Sequence, residues 1–427
     1  MIDLRQLQQK KEIIRQNIEN RYMHVSVDEV IALQTQRSVL IQEVDKLRKQ
    51  RNDNAQKMKS NMDNEERKLL IAEGKSLKLQ IAQKEKSLNS VEQAYLAEAK
   101  RIPNYAHKDA PVGKEDKENL EIKQWGTVPT FSFKPKDHVQ IGQDLDLIDF
   151  DTAAKVSGSK FYYLKNDAVL LELALERYAL DILKKHGFTL TITPDIAKEE
   201  ILEGIGFNPR GAESNIYALE GTGTCLVGTA EITLGGYYAD TILSLDQLPI
   251  RLAGLSHCFR KEAGAAGKYS KGLYRVHQFS KVEMFVYAVP EESDRVHRQL
   301  LAIEEEIFQG LGIPYRVVDT CTGDLGAPAY RKFDIEAWMP GRGSTGAWGE
   351  VTSTSNCTDY QARRLKIRYK DENNTIKYVH LINGTAIAVS RAIVAILENF
   401  QQEDGSVVIP KILRGYIGLD TITQEKG

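Results

Sequence analysis

A row of polar and aromatic residues lies within a strand-forming segment in the second half of the chain. The segment YRVHQFSKVEMF, residues 274–285, contains no Gly or Pro and is rich in strand formers, so we predict a strand. Alternate side chains of a strand share a face. One face then carries Arg275, His277, Phe279, Lys281 and Glu283. These residue types can hold a phosphate or carboxylate, an aromatic base, and an amine or hydroxyl group.

The preceding segment, IRLAGLSHCFRKE at residues 250–262, is predicted as the other strand of a hairpin around the loop AGAAGKYSKGL, residues 263–273. Alternation places Arg260 and Glu262 on one face of it. Arg391 lies within the apolar segment GTAIAVSRAIVAIL, and a buried arginine needs an anionic partner. Together these groups suit a nucleotide and a small zwitterion. An exposed sheet face with ordinary salt bridges, and a structural carboxylate for Arg391, are the alternatives.

The elements that position these residues alternate irregularly between strands and helices. Helices are predicted at residues 169–187, 292–312 and 385–402, and a strand at FTLTIT, residues 188–193. Because adjacent strands are joined by a hairpin, we expect an antiparallel β-sheet flanked by helices. The predicted fold class is therefore α+β.

The first 101 residues contain no proline and follow a helical pattern. Apolar residues repeat at spacings of three and four, which predicts an antiparallel two-helix coiled coil around the turn KSNMDNEE, residues 59–66. At about 32 residues per helix, a hairpin of roughly 48 Å is expected to project as an arm. The two series are Val30, Leu33, Leu40, Val44, Leu47 and Leu70, Leu77, Ile81, Leu88, Val91, Tyr95. Pro103 and Pro111 mark a break, so we predict domains at residues 1–110 and 111–427.

The N-terminal domain is basic although the whole chain is not. Residues 1–110 contain 21 lysines and arginines against 16 aspartates and glutamates, whereas the chain has a net charge of −2. Clustered basic residues either form a solvated face of the coiled coil or contact the phosphate backbone of a nucleic acid. Six basic residues lie close together: Lys46, Arg48, Lys49, Arg51, Lys57 and Lys59.

Several classes of protein are disfavoured by what the sequence lacks. The four cysteines show no metal-ligand spacing, so we expect no zinc site, and their scarcity suits a reducing compartment. No GxxxxGK[ST] motif occurs, and GTGTCLVG has Leu226 where a dinucleotide-binding motif needs glycine. No apolar run could cross a membrane, and the start has no signal-peptide core. We expect the cytoplasm, or the mitochondrial matrix if a transit peptide has been removed.

Several segments, in order, resemble the class II aminoacyl-tRNA synthetases, and within them the seryl-tRNA synthetase family of bacterial and organellar type. HGFTLTITPDI resembles motif 1, CFRKEAG with GLYRVHQFSKVEMF resembles motif 2, and LINGTAIAVSRAIVAILENFQQ resembles motif 3. VGTAEI is similar to the family's serine-binding loop, and WGEVTSTSNCTDYQARR to its metal and ATP segment. The resemblance covers essentially the whole chain. It implies a class II core on an antiparallel sheet, preceded by a coiled-coil arm that binds tRNA.

The resemblance also implies a ligase reaction and roles for single residues. Serine would be activated with ATP to seryl-adenylate and pyrophosphate, and then transferred to the 3′ end of tRNA(Ser). Arg260 would bridge the serine carboxylate and the ATP α-phosphate, and Glu262 and Arg391 would be the other catalytic residues. The serine site would comprise Thr229, Ala230, Glu231, Arg260, Glu283 and Thr385, with Glu283 and Thr385 reading the hydroxyl group. The ATP site would comprise Arg260, Lys261, Glu262, Val276, Phe279, Glu350, Val351, Thr352, Ser353 and Arg391.

Further cofactors and partners follow from the same resemblance. Glu350 and Ser353 would hold Mg²⁺ with ATP, and tRNA(Sec) is a further candidate substrate beside tRNA(Ser). Motif 1 would form a homodimer contact. The tRNA-binding residues would be Lys46, Arg48, Lys49 and Arg51.

Two alternatives remain open at this point. A related protein that loads an amino acid onto a carrier protein should lack the basic arm, which this chain has. A non-catalytic RNA-binding relative should have lost Arg260, Glu283 or Arg391, which are all present. The sequence departs from the family pattern at Ser390, where Gly or Pro is usual, and at Gly415, but neither matches a predicted ligand contact.

Overall fold

The computed structural model describes residues 1–208, 215–263 and 270–424. Within the predicted loop AGAAGKYSKGL, residues 264–269 lie outside the described residues. Nowhere in the described ranges is a helix both long enough and apolar enough to cross a membrane. The chain forms two compact units, Met1–Pro103 and Asn104–Gly427. The functional division predicted between residues 110 and 111 stays a prediction.

The first unit contains helices α1 (Lys11–Asn20), α2 (Val27–Lys57) and α3 (Asn64–Arg101). Each long helix begins after a capping side chain. Ser26 accepts a hydrogen bond from the N–H of Glu29, and Asp63 accepts from those of Glu65 and Glu66. The two long helices therefore begin and end close to where the sequence pattern predicts.

Helices α2 and α3 pack antiparallel. Arg37 pairs with Glu92 and Arg48 with Glu85, each at 2.8 Å, so rising numbers on one helix meet falling numbers on the other. Six members of the predicted apolar series are buried: Val30, Leu40, Val44, Leu77, Ile81 and Tyr95. The predicted coiled coil is confirmed, whereas helix α1 was not predicted.

The second unit combines short and long helices with a large sheet. Its helices are α4 (His138–Asp144), α5 (Phe150–Ser157), α6 (Asp167–Lys185), α7 (Glu199–Ile205), α8 (Glu231–Gly236), α9 (Ser293–Leu311), α10 (Tyr360–Leu365), α11 (Val389–Asn399) and α12 (Arg414–Ile417). Its strands are β1 (Leu120–Trp125), β2 (Ile148–Asp149), β3 (Tyr163–Leu164), β4 (Thr189–Ile192), β5 (Ile196–Lys198), β6 (Ala218–Leu219), β7 (Thr224–Leu226), β8 (Ile242–Ser244), β9 (Ile250–Phe259), β10 (Gln278–Ala288), β11 (Tyr315–Asp319), β12 (Arg331–Met339), β13 (Ala347–Asn356), β14 (Arg368–Lys370), β15 (Ile376–Tyr378), β16 (His380–Ala388), β17 (Val407–Val408) and β18 (Thr421–Ile422).

Eight strands form the central sheet, in the order β1-β11-β12-β13-β16-β10-β9-β4. Neighbouring strands in it are antiparallel, as predicted, except that β4 runs parallel to β9. A parallel neighbour needs a long crossover, and here more than 50 residues separate the two strands. The α+β fold predicted from the sequence is confirmed.

The two faces of this sheet differ in polarity. On β12, Phe333, Ile335 and Ala337 belong to the main hydrophobic core, together with residues of α6, α9 and α11. The alternate side chains, which include Lys332 and Asp334, lie on the opposite face. Helices α6, α9 and α11 thus cover one face. Polar groups collect on part of the other face, where Phe285 and Tyr287 of β10 pack with residues of α7, α8 and α10.

The predicted hairpin strands are shorter than expected. Strand β9 ends at Phe259, so Arg260 and Glu262 follow it, and β10 begins at Gln278, so Arg275 and His277 precede it. The prediction that these four residues lie on strands is therefore wrong. Glu262 has a φ of 51°, in the left-handed region, which cannot continue a strand.

The helix predicted at residues 385–402 is also shorter than expected. Residues 385–388 belong to β16, where Lys281 pairs with Ala388 and Glu283 with Thr385 in the register with β10. Helix α11 begins only at Val389 and still contains Arg391. Tertiary pairing of the strands outweighs the helical pattern of an apolar run that suits either element.

Candidate active site

A cleft with about 480 Å³ of empty space lies where β10, β13, β16 and α11 meet the segments that flank the hairpin loop. Its lining includes polar side chains from widely separated parts of the sequence. The lining residues are Arg260, Glu262, Tyr274, Arg275, Val276, Phe279, Lys281, Glu350, Val351, Thr352, Ser353, Thr385, Ala388, Ser390 and Arg391.

Arg260 and Phe279 lie together on the floor of the cleft. The guanidinium carbon of Arg260 is 5.2 Å from the centre of the Phe279 ring, a cation–π distance. Arg260 Nε donates to the carbonyl oxygen of Gly228 at 3.1 Å, which orients the guanidinium. The site thus presents a cation beside an aromatic face, as a nucleotide phosphate and base require.

The segments that flank the hairpin loop are held together beyond the ends of the strands. Arg260 N donates to His277 O at 2.9 Å, and His277 Nδ1 lies 2.8 Å from Arg260 O. Arg275 Nη1 pairs with Glu262 Oε2 at 3.0 Å. Although Arg275 and His277 are not on the strand, they brace the predicted catalytic residues from the other side of the hairpin.

A buried lysine connects the predicted serine-binding residues. Lys281 Nζ donates to Thr229 Oγ1 at 2.7 Å, lies 3.5 Å from Thr385 Oγ1 and forms an ion pair with Glu283. Thr385 Oγ1 donates to Glu283 Oε2 at 3.3 Å. A bulge after Val282 changes the register between β10 and β16, which places Glu283 opposite Thr385.

Glu231, at the start of α8, completes this polar cluster. Its Oε1 accepts hydrogen bonds from Gln361 Nε2 at 2.8 Å and from Asn383 Nδ2 at 2.9 Å. Burial and the nearby charge of Glu283 raise the pKa of Glu231 to about 7. A partly buried carboxylate held by amide groups is suited to bind an ammonium group that enters from the cleft.

Arg391 lies at the other end of the cleft. Its Nη1 is 3.1 Å from Glu350 Oε1 and donates to Glu350 O at 2.9 Å, and its Nε donates to Tyr274 O at 3.4 Å. Glu350 is a structural carboxylate partner of Arg391. Because both residues border an open cleft, the anionic group of a ligand is a second possible partner. Burial acts to raise the pKa of Glu350, but the charges of Arg391 and Lys332 outweigh it and hold the pKa below its ordinary value.

The oxygen atoms around Glu350 fit a hard divalent cation. Ser353 lies opposite Asp334 in the register of β12 and β13, on the same face as the carboxylate of Glu350. Asp334 Oδ1 is buried without a hydrogen-bond partner among the described residues, and burial raises the pKa of Asp334 to about 6. Among those residues there is no cluster of three or more His, Cys, Asp or Glu side chains that could hold a metal ion. One or two carboxylates with substrate phosphates is the arrangement typical of Mg²⁺.

Five residues of the predicted site are not part of the lining of the cleft: Thr229, Ala230, Glu231, Lys261 and Glu283. Ala230 and Val351 belong to hydrophobic cores, and the hydroxyl group of Thr352 donates to Glu304 on α9 at 2.8 Å. Lys261 Nζ lies over the ring of Tyr217, 5.7 Å from its centre, and is not part of the lining. Val351 and Thr352 can contribute backbone groups only.

Three residues near the site had no role assigned from the sequence: Lys281, Tyr274 and Asp334. Lys281 was part of the predicted row, so alternation was a usable signal for its place between Phe279 and Glu283. Tyr274 had no such signal: its ring lies under the guanidinium groups of Arg391 and Arg342, at 4.7 and 4.9 Å. The position of Asp334 opposite Ser353 follows only from the pairing of β12 with β13.

In the first unit, the predicted tRNA-binding residues Lys46, Arg48, Lys49 and Arg51 are exposed on α2. Arg48 pairs with Glu85 of α3 across the coiled coil, and its side chain is still 53% exposed. This surface remains accessible to a polyanion, and its role stays a prediction.

Two families match the chain. Residues 1–106 match the family described as "Seryl-tRNA synthetase N-terminal domain", and residues 219–400 match "tRNA synthetase class II core domain (G, H, P, S and T)". The chain is 63% identical to a serine–tRNA ligase of Treponema denticola over 422 residues, which cover 99% of this chain and 100% of that protein.

Two solved structures share the fold over the whole chain. The seryl-tRNA synthetase of Pyrococcus horikoshii, complexed with ATP, has a TM-score of 0.89 and 41% identity, with 100% of both chains covered. The cytoplasmic serine–tRNA ligase of Naegleria fowleri, in complex with AMP, has a TM-score of 0.85 and 30% identity, with 100% of this chain and 99% of that chain covered.

Proposed function

The chain belongs to the seryl-tRNA synthetase family, and we infer that it is a serine–tRNA ligase. It activates L-serine with ATP to seryl-adenylate and pyrophosphate, and transfers serine to the 3′ end of tRNA(Ser). The observation that carries this function is the convergence of the Arg260–Phe279 pair, the Glu231–Lys281–Glu283 cluster and the Arg391–Glu350 pair on one polar sheet face.

The polar cluster at Lys281 binds the amino acid. Glu231 and Thr229 hold the α-ammonium group, and Glu283 with Thr385 accepts and donates at the side-chain hydroxyl. This proposal is supported by the hydrogen bonds among Lys281, Glu283, Thr229 and Thr385, which hold these groups in a buried position. Alanine lacks the hydroxyl and would leave buried polar groups unpaired, so the cluster favours serine.

The opposite half of the cleft binds ATP. Adenine stacks on Phe279, Arg260 meets the α-phosphate, and Arg391 meets the γ-phosphate. Glu262 supports ATP from its position beside Arg275, and Val276 contacts it at the end of the hairpin loop. The remaining predicted contacts, Lys261, Val351, Thr352 and Ser353, belong to this half, with Val351 and Thr352 acting through backbone groups.

The chemical step follows from this placement. A carboxylate oxygen of serine attacks the α-phosphorus in line, the bond to the bridging oxygen breaks, and pyrophosphate leaves. Two anions must approach one another, so the barrier depends on a cation placed between them, which is the role of Arg260. No general base is needed because the serine carboxylate is already ionised.

Mg²⁺ accompanies ATP in this proposal, and Glu350 and Ser353 would hold it. The Oδ1 atom of Asp334, which has no hydrogen-bond partner among the described residues, supports this fit, while the other oxygen atom of Asp334 lies 3.5 Å from Lys332 Nζ. When bound, the ion neutralises charge on the phosphates. We propose no zinc site.

The coiled coil is proposed to dock tRNA(Ser), and tRNA(Sec) is a further candidate. The support is the exposed row Lys46, Arg48, Lys49 and Arg51, since clustered cations attract the phosphate backbone. The domains are then residues 1–110 for tRNA binding and 111–427 for catalysis.

A homodimer is proposed to form through the edge of the sheet. Strand β4 is the last strand on one side, and apolar side chains along and after it are exposed: Leu190 by 38%, Ile192 by 84% and Ile196 by 47%. A second copy would cover this apolar edge. We place the enzyme in the cytoplasm, consistent with its similarity to the Treponema protein.

The test of this function is serine-dependent exchange between ATP and pyrophosphate, followed by charging of tRNA(Ser). Exchange is measured with each of the amino acids in turn, and serine should be preferred strongly over alanine and threonine. Exchange without serine preference, or serine exchange with no charging of tRNA(Ser), would contradict the assignment.

A further inference from the structure

A buried histidine and a buried glutamate connect three segments of the catalytic unit. His138 is the first residue of α4, Glu398 lies on α11, and both side chains are fully buried. His138 Nδ1 is 2.7 Å from Glu398 Oε1. The same carboxylate accepts from the backbone N–H of His138 at 3.1 Å and from that of Gly341 at 2.8 Å.

The other ring nitrogen holds the segment that enters the cleft. His138 Nε2 accepts a hydrogen bond from the backbone N–H of Leu273 at 3.1 Å. An accepting nitrogen carries a lone pair, so the imidazole is neutral and its proton is on Nδ1, where it donates to Glu398. Glu398 thus selects the tautomer that lets His138 hold Leu273.

The contact between α4 and this segment is close and involves two consecutive residues. A Cβ atom on Gly272 would lie 2.2 Å from His138 Nε2, and Gly272 has a φ of +54°, so glycine is required there. Asp137, the capping residue of α4, also forms an ion pair with Lys271. The start of α4 therefore anchors residues 271–273.

The residues that follow this anchor line the ATP half of the cleft. Tyr274 O accepts from Arg391, and its hydroxyl donates to Glu350 O at 3.2 Å. Arg275 braces Glu262, and Val276 belongs to the lining. Their positions depend on where the backbone leaves Leu273.

We propose that His138, oriented by Glu398, is a positioning residue for ATP. It fixes the backbone at Leu273 and so places Tyr274, Arg275 and Val276 against the nucleotide. The inference rests on the proposed function, because ATP is the ligand assigned to this half of the cleft.

Two substitutions of His138 test the hydrogen bonds of its two ring nitrogens separately. In His138→Asn, the amide nitrogen can replace Nδ1 and keep the bond to Glu398, but nothing reaches Leu273. In His138→Gln, the amide oxygen can reach the position of Nε2 and keep the bond to Leu273. The KM for ATP in pyrophosphate exchange should rise about fivefold to tenfold in the Asn variant, the size expected for one lost hydrogen bond, and less in the Gln variant. The KM for serine should stay close to that of wild type in both.

His297→Asn is the matched control. His297 is also buried, but it lies on α9 and its Nε2 bonds to Thr354 O of β13 at 3.0 Å. It should lower the melting temperature without changing the ratio of the two KM values. Equal losses in the Asn and Gln variants, or a KM for ATP that is unchanged in the Asn variant, would overturn the proposal.

If the His138 variants do not fold, Lys271→Met provides the test of the proposal. The Lys271 side chain is 52% exposed, so its loss should not prevent folding. Removing its bond to Asp137 should raise the KM for ATP about twofold, and a wild-type value would overturn the proposal. Absence of serine-dependent exchange in the wild-type protein would instead contradict the proposed function itself.

Discussion

We expect Glu231 to lower the free energy of unfolding of the second unit as pH rises. Its ordinary pKa is 4.5, and burial and the charge of Glu283 raise it to about 7 in the folded protein. The folded state therefore holds the proton more tightly than the unfolded state does. The resulting loss of stability is absent below pH 4.5, grows as the unfolded carboxyl ionises, and is complete above pH 7.

Substituting glutamine isolates this contribution. In Glu231→Gln the amide oxygen can still accept from Gln361 and Asn383, which both bond to the same carboxylate oxygen in wild type. At about 1.36 kcal/mol per pKa unit, the stability of the variant relative to wild type should increase by about 2–3 kcal/mol between pH 5 and pH 8. Serine-dependent exchange should fall sharply, because the proposed partner of the α-ammonium group has lost its charge.

Urea unfolding followed by tryptophan fluorescence measures this difference. All three tryptophans, Trp125, Trp338 and Trp348, lie in the second unit, so the signal reports on the unit that contains the site. Glu200→Gln is the control, since that carboxylate is 74% exposed. A stability difference that is the same at pH 5 and pH 8, or that falls with pH, would refute the reasoning. If the variant is more stable and keeps full exchange activity, Glu231 does not bind serine.

Three further results are expected. Arg260→Ala should slow pyrophosphate exchange about 10²–10³-fold, as the loss of a single transition-state donor does elsewhere, and near-wild-type exchange would exclude its proposed role. Glu283→Ala should narrow the preference for serine over alanine, which is read from the ratio of their exchange rates; an unchanged ratio means that another group reads the hydroxyl. Replacing residues 28–98 by a short glycine linker should leave exchange largely intact and abolish charging of tRNA(Ser). If exchange and charging fall together, the coiled coil is structural, and if neither falls, it does not bind the tRNA.

Elements whose signals are local were predictable from the sequence. The spacing of Leu40, Val44, Leu77 and Ile81 predicts the coiled coil, because a helical repeat depends only on residues three and four positions apart. Helix α6 ends within two residues of the predicted end for the same reason. Motif types and their order were sufficient for the class II fold.

The limits of the strands were decided by tertiary structure. Residues 385–388 satisfy an apolar helical pattern, but they form the end of β16 because β10 offers them hydrogen-bond partners in register. Arg275 and His277 alternate like strand residues, yet the chain there bonds to Lys160 and Arg260 instead. Such choices depend on partners that are distant in sequence, which no local pattern contains.

The residue types of the candidate site were readable in the sequence, whereas their contacts were not. Arg260, Glu283 and Arg391 were identifiable by type and motif, but the bulge that brings Glu283 to Thr385 exists only in the paired sheet. His138 and Glu398 are 260 positions apart and carry no local signal. A hydrogen bond needs two atoms within about 3 Å in a fixed orientation, and only the folded chain brings such atoms together.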